Sequence, residues 1–178
     1  MTNHKLIFAG PVGAGKTTAI ASISDVPPLL TDASASDMTR DFKASTTVAM
    51  DYGILNLGGG ERLHLYGTPG QERFDFMWDI LVEKGIGLIL MLNNSNPDPF
   101  QDLHFFLKAF EKFIGETTVA IGVTRMDETP EPTIADYHKQ LKNLEKKYPV
   151  FDVDARKRED VAALVEGLLY SLDPGLAN

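Results

Sequence analysis

Apolar residues run along the chain in two rhythms. Lys5–Ala9 (KLIFA), Gly87–Leu92 (GLILML) and Val119–Val123 are short and continuously apolar, as strands covered on both faces must be. Val150–Val153 predicts a further short strand. Thr47–Leu57 (TVAMDYGILNL) and Arg62–Tyr66 (RLHLY) are rich in β-forming residues and are joined by Gly58, Gly59 and Gly60, which reads as an antiparallel hairpin. Between these runs the spacing turns helical. A short helix is predicted after Lys16 (TTAIASIS), stopped by Pro27 and Pro28, and a polar, irregular stretch follows as far as Lys43. From Asp98 to Ile114, the residues Leu103, Phe106, Leu107, Phe110, Phe113 and Ile114 keep helical spacing, with Gly115 placed just past the end. This aromatic stripe reads as a helix face packed on a sheet. Thr133–Lys147 predicts a charged helix and Arg158–Leu172 a final one.

Strand and helix alternate almost throughout, which predicts an α/β fold: a mostly parallel six-stranded sheet with one antiparallel edge strand and helices on both faces. At 178 residues, 43% hydrophobic and 24% charged, the chain fits one globular domain over residues 1–178.

Residues 10–17, GPVGAGKT, place Gly10, four residues, then Gly15, Lys16 and Thr17 between a predicted strand and a predicted helix. That is GxxxxGK[ST], the phosphate-binding loop of P-loop NTPases, in its required context. Glycines let successive backbone N–H groups turn toward phosphate oxygens, and the helix N-terminus adds partial positive charge. Lys16 then bridges the β and γ phosphates and the Thr17 hydroxyl ligates Mg²⁺. The candidate contacts are Gly10, Val12, Gly13, Ala14, Gly15, Lys16, Thr17 and Thr18. Such a loop specifies a nucleotide but not its base.

Gly67–Phe74 (GTPGQERF), at the end of the hairpin, resembles the DxxGQE element of Ras-like GTPases. The resemblance implies that Gly70 offers its N–H to a γ-phosphate and that Gln71 orients the attacking water. Thr124-Arg125-Met126-Asp127 is similar to the family's [NT]KxD, which implies that Asp127 accepts the N1–H and N2–H₂ donors of guanine. Arg125 stands where lysine is usual, keeping the charge and the long stem but not the geometry. Asp154-Ala155-Arg156 resembles the SAK element, whose backbone N–H meets guanine O6. In switch I the resemblance gives Thr47 to Mg²⁺ and the γ-phosphate, with Thr46 as a competitor. The implied protein is a Ras-like G domain, a small GTP-binding switch with Mg²⁺, in which Gln71, Lys16 and Thr47 carry hydrolysis.

Three departures qualify this. Ras-like proteins carry an aspartate at the position of Gly67, where it holds the hydration shell of Mg²⁺. Asp51, four residues after Thr47, faces the same side by the period of a strand and is the candidate replacement, giving a metal set of Thr17, Thr47 and Asp51. A solvated or salt-bridged strand carboxylate is the alternative reading. The bacterial gliding-motility GTPases of the MglA type show a similar arrangement, and TTVAMDYG and LYGTPGQERF most resemble a bacterial branch near that group. Those proteins also carry an arginine just before the switch I threonine, where this chain has Thr46; Arg73 and Arg40 are the nearest substitutes. Val12 occupies a position commonly held by glycine, and its bulk predicts slow intrinsic hydrolysis that needs an activating partner.

Two other functions stay open: a nucleotide-binding scaffold with little or no hydrolysis, and an ATP-using P-loop enzyme. Regulators and effectors are implied by the resemblance, a roadblock-type regulator among them. The net charge of −8 argues against a general nucleic-acid surface. The absence of cysteine excludes disulfides, thiolate metal sites and prenylation, and fits a cytoplasmic location. Thr2 stands where myristoylation requires glycine, and no run approaches the roughly 18 apolar residues of a membrane span, so no direct membrane anchor is expected.

Overall fold

A computed structural model of the chain describes residues 2–29, 51–70 and 77–172. Its strands are β1 (Thr2–Ala9), β2 (Asp51–Gly58), β3 (Glu61–Gly67), β4 (Gly85–Asn93), β5 (Val119–Thr124) and β6 (Val150–Asp152). They form one sheet in the order β2-β3-β1-β4-β5-β6. β2 pairs antiparallel with β3, and every other pairing is parallel. The predicted mostly parallel six-stranded sheet with an antiparallel edge strand is therefore the observed one. The helices are α1 (Lys16–Ile23), α2 (Trp78–Val82), α3 (Pro99–Ala109), α4 (Glu111–Glu116), α5 (Ile134–Leu141) and α6 (Arg158–Leu172).

The continuously apolar strands are buried on both faces because successive side chains alternate. In β1, Leu6 and Phe8 join a core with Ile20 of α1 and Leu164 and Leu168 of α6. Ile7 and Ala9 point the other way, into a core with Leu103, Phe106 and Phe110 from the α3–α4 side and Tyr137 of α5. The three hairpin glycines all take positive φ, at 89°, 58° and 86°, which is why glycine closes this turn.

Among the described residues, strand ends move by one to three residues, and three helix features differ from the sequence expectation. The helix expected over Asp98–Ile114 breaks at Phe110, whose φ of −100° and ψ of 13° end α3 and start α4. The break turns the Phe110 ring flat onto Trp78 at 5.1 Å while Leu103, Phe106 and Phe113 keep the buried face. Gly115 lies inside α4 rather than past the end of the helix, which Thr117 closes. The helix expected over Thr133–Lys147 ends at Leu141. Beyond it Leu144 is exposed, and Lys146 Nζ donates to the carbonyl of Gly115 at 2.8 Å, so that segment has no second turn of apolar contacts to hold it helical. The N-terminus of α5 is secured by a capping box between Thr133 and Asp136. Lys139 first and Thr133 second hold the Asp136 carboxyl at about 2.

The carboxyl ends of the parallel strands share one edge of the sheet with the first residue of the antiparallel β2, Asp51. In open α/β sheets that edge is where ligands bind.

Candidate functional site

The loop after β1 crosses the backbone of β4 closely. Gly10 has φ 142°, and a Cβ there would stand 2.0 Å from the Met91 carbonyl oxygen, so no other residue fits. Gly15, at φ 94°, caps α1 without a side-chain hydrogen bond, so the first turn of the helix opens toward the loop. Lys16 is buried, and its Nζ donates to the carbonyls of Gly10 at 2.7 Å and Pro11 at 2.8 Å, arching back over the loop. Ala14 is fully buried and donates its N–H to Pro11 O at 3.2 Å, while Val12 stands 62% exposed on the outside of the arch.

Gly70 packs directly on this arch. A Cβ at that position would meet Val12 N at 2.6 Å and Lys16 Nζ at 2.9 Å. The indole N–H of Trp78 holds the preceding carbonyl, that of Pro69, at 3.3 Å. Thr68, one residue earlier, is buried, and its Oγ1 has no hydrogen-bond partner among the described residues.

Asp51 and Gly67 are register partners across β2 and β3. A Cβ at Gly67 would meet Asp51 Cβ at 3.1 Å, Ile20 Cδ1 at 3.1 Å and Asp51 Oδ2 at 3.3 Å, so a side chain at 67 would crowd the Asp51 carboxylate. Asp51 is 6% exposed and accepts a 2.5 Å hydrogen bond from the Thr17 hydroxyl. Two candidate metal ligands identified in the sequence are thus brought into contact. The third, Thr47, lies outside the described residues, as do Gln71, Thr46, Arg40 and Arg73.

On the other side of the phosphate loop, Gly13, Gly15 and Thr18 line a cavity of about 190 Å³ with Thr124, Arg125, Asp127, Asp154, Ala155 and Arg156. All three separated motifs therefore meet in one concavity. Thr124 is buried and donates from Oγ1 to the carbonyls of Leu92 at 3.0 Å and Ala14 at 3.1 Å, which locks the phosphate loop to the base side. Arg125 takes φ 62° and pairs loosely with Glu128 at 3.6 Å. The Arg156 guanidinium grips Asp154 at 2.9 and 2.8 Å and holds that carboxyl down at about 2. Two N–H groups of the Asp154-Ala155-Arg156 turn are already engaged: that of Asp154 by Asp160 Oδ2 at 2.9 Å, and that of Arg156 by Asp154 Oδ1 at 3.0 Å. Burial first, then the nearby Asp160 and Asp127 charges, raise the Asp152 carboxyl. Glu128 and Val153 also line the cavity but belong to no motif spelled out in the sequence; only the neighbourhood of Asp127 and Asp154 pointed to them. Among the described residues no cluster of three or more metal-ligating side chains occurs, and no helix is long and apolar enough to cross a membrane.

A family model described as the Ras family matches residues 5–173. The chain belongs to the Ras family. That membership makes it a small GTP-binding protein of the GTPase class. It is 28% identical over 122 residues to an uncharacterized protein, MJ1339, of Methanocaldococcus jannaschii, covering 65% of this chain and 71% of that one. To the Ras-related protein Rab-12 of Homo sapiens it is 28% identical over 113 residues, 63% of this chain but 42% of Rab-12. A bacterial selenocysteine-specific elongation factor, EF-Sec, shares the fold with a TM-score of 0.66 at 20% identity, covering 97% of this chain and 30% of that one.

Proposed function

We propose that this Ras-family chain, as a single G domain over residues 1–178, is a slow GTP/GDP switch that uses Mg²⁺ and takes its magnesium-side carboxylate from β2. The observation that carries the reading is Asp51, packed directly against the Gly67 position and hydrogen-bonded to Thr17. The residues present suit the implied ligands. The arch of Gly10, Gly13 and Gly15 with Lys16 would cradle phosphates, and Thr17 with the Asp51 carboxylate beside it would hold the cation. Bound Mg²⁺ supplies neutralisation of the charge that develops on the phosphates.

Asp127 reads guanine from the cavity shared with Gly13 and Gly15, and Arg125 lies against the base. With the N–H groups of Asp154 and Arg156 engaged, that of Ala155 is the donor for guanine O6. On the sequence resemblance, Gln71 would orient the attacking water and Thr47 would be a ligand to Mg²⁺ and the γ-phosphate. The close packing of Gly70 on Val12 and Lys16 makes the segment after β3 sensitive to a γ-phosphate in this arch. Resemblance to the MglA-type branch supports a bacterial, cytoplasmic setting, with a roadblock-type regulator as partner.

A second reading, a scaffold with little hydrolysis, is favoured by Val12, whose backbone packs closely on the Gly70 position and whose side chain replaces the glycine common there. Single-turnover GTP hydrolysis, with and without Mg²⁺ and candidate regulators, separates the two. Asp127→Asn should move preference from guanine toward xanthine nucleotides; if that variant instead binds GTP unchanged, the base assignment is wrong.

A further inference from the structure

The loop carrying Asp127 is secured by a buried network that none of the motifs contains. Asn94, directly after β4, is 2% exposed. Its backbone N–H donates to Thr124 O at 3.0 Å, at the start of that loop. Its side-chain Nδ2 donates to Thr129 O at 2.7 Å and Pro132 O at 3.0 Å, at the far end. Asn94 therefore grips the loop at both ends.

An amide side chain has one acceptor end and one donor end, and a wrong orientation would set its oxygen against the two loop carbonyls. The choice is made by Tyr137, fully buried on α5, whose hydroxyl donates to Asn94 Oδ1 at 2.7 Å. Burial raises the Tyr137 phenol well above its ordinary value, with a small addition from Asp102, so the hydroxyl remains a donor. Thr129 passes the constraint onward. Its N–H and that of Glu128 both donate to the Arg125 carbonyl, at 2.9 and 3.2 Å, forming the turn on which Asp127 sits.

We propose that Asn94, oriented by Tyr137, is a positioning residue for guanine selectivity: it fixes the turn so that the Asp127 carboxylate meets both donors of the base edge. This rests on the reading of Asp127 as the base-reading residue. A purely structural role would change overall stability and affinity but not the ratio between closely related bases. Inosine diphosphate lacks the 2-amino group of GDP and so forfeits one of the two hydrogen bonds to Asp127, which makes the ratio of GDP to IDP affinity the selective readout.

The test measures GDP, IDP and ADP binding to the full chain and to Tyr137→Phe, Asn94→Ala, Phe100→Leu and Asp127→Asn. The Phe100 ring packs edge-on against Tyr137 at 5.2 Å but takes no part in the network, so Phe100→Leu should lower the unfolding midpoint and keep the GDP:IDP ratio. Tyr137→Phe removes one hydroxyl and should lower that ratio about fivefold, with no further loss in an Asp127→Asn background. Should Tyr137→Phe not fold, Asn94→Ala carries the same expectation. A wild-type GDP:IDP ratio in the network variants overturns the proposal. A wild-type protein that does not prefer GDP over ADP overturns the base reading instead.

Discussion

Asp51 and Gly67 face each other across β2 and β3, and the Asp51 carboxylate lies within 3.3 Å of where a Cβ at position 67 would be. A carboxylate from either strand would lie in this crowded spot. The pair predicts a positional swap. Asp51→Asn should weaken Mg²⁺-dependent GTP binding about 10- to 100-fold. Gly67→Asp alone should also weaken it, by crowding two carboxylates. Asp51→Gly combined with Gly67→Asp should restore most of the loss. Titrating Mg²⁺ against nucleotide release in the four proteins checks this, and a double variant weaker than both singles would contradict it.

Val12 is 62% exposed, and its backbone N lies 2.6 Å from the place a side chain at Gly70 would take. The backbone of Val12 is thus in tight contact with Gly70, and its side chain is bulkier than the glycine common at this position in the resembling family. Val12→Gly should raise the single-turnover GTP hydrolysis rate about tenfold, or restore stimulation by an activating partner.

Trp78 is the only tryptophan of the chain. Its indole N–H holds the Pro69 carbonyl, and its ring stacks on Phe110 at 5.1 Å and leans on Phe106 at 5.4 Å. Movement of Gly70 on nucleotide exchange must alter that environment. Intrinsic fluorescence should differ between the GDP form and a form loaded with a non-hydrolysable GTP analogue. Superimposable spectra would mean that Gly70 does not respond to the γ-phosphate.

Acid should destabilise the fold through specific carboxylates. The Asn56 N–H, and then the Arg158 guanidinium, hold the Asp25 carboxyl below its ordinary value, tying the end of α1 to β2 and α6. Asp136 is held at about 2 within the α5 capping box. A carboxylate depressed in the folded state contributes stability above its unfolded value, and that contribution fades as pH falls through the folded one. Stability should therefore drop as pH falls from about 3.8 toward 2. Asp25→Asn should flatten the slope of the urea midpoint against pH in that range.

The sheet and the phosphate loop were legible because their signals are local. Apolar runs such as GLILML have one stable placement, between two helical layers, and GPVGAGKT sets its own backbone through glycine. The break at Phe110 was not legible, since the helical period continues through it and only the ring of Trp78, some thirty residues away in sequence, gives Phe110 a reason to turn. Asp51 was nameable from the missing aspartate at 67, but that it fills the space beside Gly67 depends on the β2–β3 register. Asn94 and Tyr137 carried no motif, because a buried amide that orients a loop has no characteristic sequence spacing.

The most direct test of the central claim is to identify the nucleotide retained by the purified protein and follow its conversion in a single turnover with and without Mg²⁺. A guanine nucleotide is expected, with GTP converted slowly to GDP and the conversion halted by chelation. An adenine nucleotide, or turnover indifferent to Mg²⁺, would contradict the claim.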